Sequence, residues 1–133
     1  MAFNRTALQW STGALALIPL ATGALTMMGV RDPLYGTLQL PANALLDSNL
    51  RFFGGVWLGL GVSVLWMIPR IEQNGVLFRA LWGMIFLGGI GRLLSVSAVG
   101  WPPIPFVVVT GLEIVGAPLF VIWQRRMAQA WTA

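Results

Sequence analysis

Four long apolar segments, at about residues 7–30, 50–68, 77–98 and 104–123, constrain this chain more than any other feature. Each comes close to the roughly 20 residues that a helix, rising about 1.5 Å per residue, needs to cross ~30 Å of hydrocarbon. Helices of soluble cores are mostly shorter. The pattern predicts an all-α integral membrane protein, an antiparallel bundle of four transmembrane helices forming a single domain over residues 1–133. Pro19 falls inside the first segment, Arg92 inside the third, and Glu113 and Pro118 inside the fourth. Proline is tolerated there because neighbouring helices can satisfy the backbone groups it frees.

Composition agrees, with 57% hydrophobic against 9% charged residues, far from the balance of a water-soluble domain. The eight cationic side chains are all arginine and are scattered, so the net charge of +4 forms no patch and nucleic acid is not an expected partner. Histidine and cysteine are absent. That removes most soft metal sites, axial histidine ligation of haem, thiol nucleophiles, disulfides and imidazole acid–base catalysis. No serine sits beside a base, and no glycine loop of phosphate-binding type is present. The expectation is a non-enzyme with no catalytic residues, no metal and no cofactor.

The connections set the topology. Residues 31–48 form the longest, with Arg31-Asp32-Pro33 as a stop and Asp47-Ser48-Asn49 as a capping start for the second helix. The middle of this stretch reads as a loop lying on the membrane surface, with room for a short helix after Pro41. Residues 69–76 are a short polar turn, and Gly100-Trp101-Pro102-Pro103 is a tight break that makes the third and fourth helices antiparallel neighbours. Arg5, Arg70, Arg79, Arg125 and Arg126 lie on the side of the N-terminus, against Arg31 and Arg51 on the other. The positive-inside rule then places both termini in the cytoplasm, and the expected location is a bacterial inner membrane. Trp10, Trp66, Trp82 and Trp123 read as interfacial anchors near one set of ends, with Tyr35 and Trp101 at the other. Small residues at Ala21-Thr22-Gly23-Ala24 imitate a signal-peptidase site, but the run from Ala7 to Val30 is long enough to span, so the first segment is expected to stay as a helix.

Polar residues stand at particular places in these apolar helices. Arg51, Gly55, Gly59 and Ser63 recur at four-residue spacing, and Gly55 with Gly59 makes a GxxxG pair whose expected use is close helix packing within the bundle. Gly88, Gly89 and Gly91 form a second cluster. Arg92 lies about 9 Å from the outer end of the third helix and Glu113 about 13 Å from that of the fourth, so the two can meet. An ionised side chain at the centre of a bilayer costs about 2.5–3.5 kcal/mol even on the mildest scale, so each needs a partner. Asp47, Asn49 and Arg51 enter from the same side, and Ser95 and Thr110 can add hydrogen-bonding groups. The candidate binding cluster is therefore Asp47, Asn49, Arg51, Arg92 and Glu113, with Phe52, Phe53, Trp57 and Phe106 nearest in depth to line it.

Asp47-Ser48-Asn49-Leu50-Arg51-Phe52-Phe53-Gly54-Gly55-Val56-Trp57-Leu58-Gly59, then Phe86-Leu87-Gly88-Gly89-Ile90-Gly91-Arg92-Leu93-Leu94-Ser95, Gly100, Pro102 and Leu112-Glu113-Ile114, resemble the bacterial membrane family called domain of unknown function 4345. The resemblance implies a compact four-helix membrane protein. It supplies no reaction, substrate or cofactor.

Two functional readings follow. In one, the chain is an accessory or scaffold subunit that meets other membrane proteins through its bilayer-embedded surface. In the other, it binds or carries a hydrophobic or amphipathic small molecule whose polar end is held by the intramembrane arginine and glutamate. The same residues also allow a purely structural ion-pair network with nothing bound, or a proton or ion path, although a path normally needs polar groups on the cytoplasmic half too.

Overall fold

The computed structural model describes residues 4–132, and every regular element among them is helical. Arg5–Thr26, Ala44–Arg70, Gly75–Val99 and Ile104–Ala130 are each long and apolar enough to cross a membrane. The fold is thus all-α with four candidate spans, that of a multi-pass membrane protein. Its α-helices are α1 (Arg5–Thr26), α2 (Ala44–Met67), α3 (Gly75–Val99), α4 (Ile104–Gly111) and α5 (Ala117–Thr132), the last two joined through a π-helical turn at Leu112–Gly116. The chain comprises two compact units, one of residues 9–69 and one of the start of α1 with everything from Arg70 onward.

In the first unit, α1 ends at Thr26 and Gly29 follows in a left-handed conformation at φ +66°, the conformation that glycine alone adopts without penalty at a helix exit. Two 3₁₀ turns, Gly29–Arg31 and Pro33–Leu38, carry the connection. They precede Pro41, whereas a short helix was expected after it. The start of α2 also differs from expectation, because the Asn43 carboxamide accepts hydrogen bonds from Leu45 and Leu46 N–H and starts the helix at Ala44. Asp47 consequently lies inside the first turn instead of capping it.

The α1/α2 hairpin is held by direct backbone approach. A Cβ on Gly23 would lie 2.6 Å from the Leu58 nitrogen, and one on Gly54 would lie 2.6 Å from the Met27 nitrogen. Gly61 similarly faces Leu20 and Gly13 faces Ile68, which fixes the pair as antiparallel. The stripe of Gly55 and Gly59, expected to serve close packing within the bundle, is not the face this hairpin uses: a Cβ on either residue would meet nothing within 4 Å. One residue of offset turns a helix by about 100°, so a GxxxG pattern does not by itself say which of two adjacent faces a neighbour takes.

In the second unit α3 runs antiparallel to the last span, with Gly89 against Glu113 and Ile114 and with the Trp82 ring stacked on Phe120 at 4.7 Å. Trp82, expected as an interfacial anchor, is only 4% exposed and packs between Phe78 and Phe120. Gln124, also buried, donates through Nε2 to the Ile71 carbonyl at 2.9 Å and ties α5 to the turn before α3. Arg5 donates to both carboxylate oxygens of Glu72, at 2.8 and 3.4 Å. The final helix runs to Thr132, beyond the expected end near 123, so Arg125 and Arg126 are helical.

The π turn has a cause in the sequence. Pro118 lacks an N–H, and in a regular α-helix its ring would press on the carbonyl four residues earlier, that of Ile114. The chain widens just before it, and the Ala117 N–H reaches back five residues to the Leu112 carbonyl. This turn carries Glu113.

Candidate functional site

The five residues of the expected cluster fall into two sets, one in each unit. Asp47 and Arg51 belong to a clamp at the α1/α2 connection. Arg51 donates through Nε to Asp47 Oδ2 at 2.6 Å, through Nη2 to Asp47 Oδ1 at 3.3 Å, and through Nη1 and Nη2 to the carbonyls of Met27 and Met28 at 3.0 and 3.3 Å. Asp47 Oδ1 also accepts from Val30 N–H at 3.0 Å. A side chain at Gly29 would collide with Asp47, so glycine is required there by space as well as by φ.

Asp32 completes the clamp, and sequence reasoning passed over it as a stop signal. It is 1% exposed, accepts from the Thr26 hydroxyl at 2.8 Å through Oδ2, and accepts from Leu34 N–H at 2.9 Å through Oδ1. Two carboxylates and one guanidinium thus bind the last turn of α1, both 3₁₀ turns and the first turn of α2. The guanidinium nitrogens and all four carboxylate oxygens are engaged, which is the condition of a structural staple. Asn49 is exposed and takes no part in it. The signal that could have revealed the clamp is the i, i+4 spacing of Asp47 and Arg51 beside Gly29, since opposite charges at that spacing face one another on a helix.

The second set is Arg92 and Glu113. Arg92 lies seven residues before the end of α3, and Glu113 nine residues after the start of α4, depths of about 10 and 13 Å along their helices. Arg92 Nε lies 2.9 Å from Glu113 Oε2. The N–H is not directed at that oxygen, and Oε2, buried from solvent, receives no hydrogen bond. The contact is an ion pair by proximity and charge alone.

The surroundings explain how the pair is held. A Cβ on Gly89 would stand 2.8 Å from the Glu113 Cβ, so the missing side chain one turn below Arg92 is what admits the glutamate. Phe106, Thr110 and Glu113 follow one another along the same face, and the Thr110 hydroxyl is spent on the Phe106 carbonyl at 2.8 Å. The Arg92 guanidinium carbon sits 5.8 Å from the centroid of the Phe106 ring, within cation–π range. Exposure is unequal: the Glu113 side chain is 6% exposed and that of Arg92 37%. Ser95 is exposed, and in the other unit Phe52 and Phe53 are more than half exposed.

Chemically, the pair offers a cation whose approachable face is the guanidinium and whose buried back is a carboxylate. Nothing matching the chain is found among curated proteins or solved structures. A family model does match, over residues 7–124, which takes in the two middle spans, most of the first and last, the clamp and the Arg92–Glu113 pair. Its description is "Domain of unknown function (DUF4345)", and on that match the chain belongs to this family.

Proposed function

We propose that this protein is a non-enzymatic membrane binding module, in which the Arg92–Glu113 pair holds the polar end of an amphipathic molecule inside the bilayer. One observation carries the reading: the pair leaves hydrogen-bonding capacity unspent at a depth where unspent capacity is costly. Arg92 is ion-paired to Glu113 and lies near one ring but makes no side-chain hydrogen bond among the described residues, and Glu113 Oε2 receives no donor. A purely structural pair would be expected to consume its donors and acceptors, as the Asp32–Asp47–Arg51 clamp does.

A second reading, as an accessory or scaffold subunit of a membrane complex, draws on a different observation. The four spans take up most of the chain and leave connections too small for a separate soluble domain, so a protein partner would be met largely within the membrane. The arginine distribution supports a bacterial inner-membrane location with both termini in the cytoplasm.

The two readings separate on purification. Extraction of the native protein in mild detergent, followed by mass spectrometry of the intact particle, should show a bound small molecule lost in Arg92→Gln if the binding reading holds. A stoichiometric second polypeptide with no small molecule would favour the accessory reading instead. Orientation is tested in the cysteine-free background: single cysteines at Gly36 and Gly100 should react with an impermeant thiol reagent in intact cells, and ones at Asn74 and Ala130 should not. The reverse labelling pattern would overturn it.

A further inference from the structure

The two members of the pair are not equally placed to meet a ligand, and the inequality identifies its chemistry. Glu113 is the covered member, seated against Gly89 with Oε2 out of reach. Arg92 is the approachable one, over a third exposed. Its Nε lies 2.9 Å from Glu113 Oε2, and its guanidinium carbon lies 5.8 Å from the centroid of the Phe106 ring. Both Nη groups remain without a hydrogen-bond acceptor among the described residues. A molecule entering from the surrounding apolar phase therefore meets N–H donors first, on a guanidinium already held on one side by a carboxylate.

We infer that the site takes the oxyanion of an amphiphile, a phosphate or carboxylate head group received in two-point fashion by the Nη nitrogens of Arg92. Glu113 acts as a positioning residue that turns the fork outward. This inference rests on the binding reading above and adds the charge and geometry of the head group. Arginine suits the task because its planar fork matches the spacing of two oxyanion oxygens, which an ammonium group does not reproduce.

Depth argues for an amphiphile over a free anion. Helix α3 has 25 residues, about 37 Å, and overhangs a ~30 Å hydrocarbon layer by a few ångströms at each end. Arg92, about 10 Å from the Gly100 end, then lies some 6–7 Å below the hydrocarbon boundary, within the reach of an arginine side chain toward a head group. Exposed Leu93, next to Arg92 in the chain, and exposed Leu112, next to Glu113, supply apolar surface for a chain.

The test uses the purified full-length protein in dodecyl maltoside, with dodecyl phosphate as the probe and binding read by isothermal titration calorimetry. Saturable binding of dodecyl phosphate at least tenfold tighter than dodecanol is expected. Arg92→Gln should lose at least tenfold in affinity, Arg92→Lys should fall between the two, and Arg79→Gln should bind as the wild type does. Should Arg92→Gln fail to fold, the contrast between head groups on the wild type decides alone, and equal affinity for dodecanol would overturn the proposal.

Inorganic phosphate binding as tightly as dodecyl phosphate would support the oxyanion site while identifying a free anion as its source. Tighter, Arg92-dependent binding of dodecylamine would overturn the oxyanion assignment and leave the binding reading standing. Absence of binding by every amphiphile would overturn both.

Discussion

The two units each bring a guanidinium and a carboxylate together, and they do so to opposite effect. In the first, Arg51 and Asp47 share two hydrogen bonds, and the remaining capacity of each goes to main-chain groups of Met27, Met28 and Val30. In the second, Arg92 Nε and Glu113 Oε2 lie 2.9 Å apart, with the carboxylate buried, the cation over a third exposed, and no directed hydrogen bond between them. Both pairs neutralise charge; only the first completes its hydrogen bonds. A buried or half-buried ion pair is therefore a poor guide to function until its remaining donors and acceptors have been followed.

The largest expected effect lies in the clamp. Asp32→Ala leaves the Thr26 hydroxyl and the Leu34 N–H without their acceptor, each worth about 1–3 kcal/mol when stranded away from water. Thermal unfolding in detergent should show this as the steepest single loss, and a melting temperature within a degree of wild type would remove the clamp from the account.

The Arg92–Glu113 pair should respond less. Glu113→Ala strands a guanidinium, but Arg92 is over a third exposed and can turn to head groups or water, so the loss should fall below the 3–5 kcal/mol of a fully buried pair. Adding Arg92→Leu to Glu113→Ala should recover most of it. A double-mutant cycle with additive single effects would show that the two side chains do not act as a pair.

Next come the glycines, where two neighbouring positions on α2 should part company. Gly54→Ala drives a methyl group into the α1 backbone and should cost on the order of 1–3 kcal/mol. Gly55→Ala adds one that meets nothing in its own hairpin, and helix propensity should leave it neutral or better by up to about 1 kcal/mol. Equal penalties would mean that the hairpin packs on the Gly55–Gly59 face after all.

The smallest effect belongs to the connection before α3. The Arg5 guanidinium, hydrogen-bonded to Glu72, holds that carboxyl below its ordinary range against the opposing effect of burial. A depressed folded-state pKa contributes stability that is present above the unfolded value, about 4.3, and is lost as pH falls through the lower folded value. At most about 1 kcal/mol should be involved, as for other part-exposed pairs. Arg5→Gln should flatten the acid limb of the stability curve below pH 4.3 and leave the neutral region within that amount of wild type; an unchanged acid limb would exclude the pair as its source.

Much of this could be read from the residues in order. Unbroken apolar runs of spanning length can be satisfied in only a few ways, because a bilayer forces backbone hydrogen bonds inward, and the four spans followed from that alone. The short break at Gly100–Pro103 likewise placed Arg92 and Glu113 on adjacent antiparallel helices, since a turn that tight leaves no other neighbour. Pattern failed where the outcome depended on angle or on single hydrogen bonds. Gly54 and Gly55 are indistinguishable as letters, yet 100° of helix rotation sends one into a backbone and the other away from it. Asp47 looked like a cap until Asn43, one turn earlier, took the role. Which carboxylate would be saturated and which left with an empty oxygen was decided only by tertiary placement, because a main-chain donor from a 3₁₀ turn reaches Asp47, whereas Glu113 sits within a helical span, where main-chain N–H groups bond along the helix.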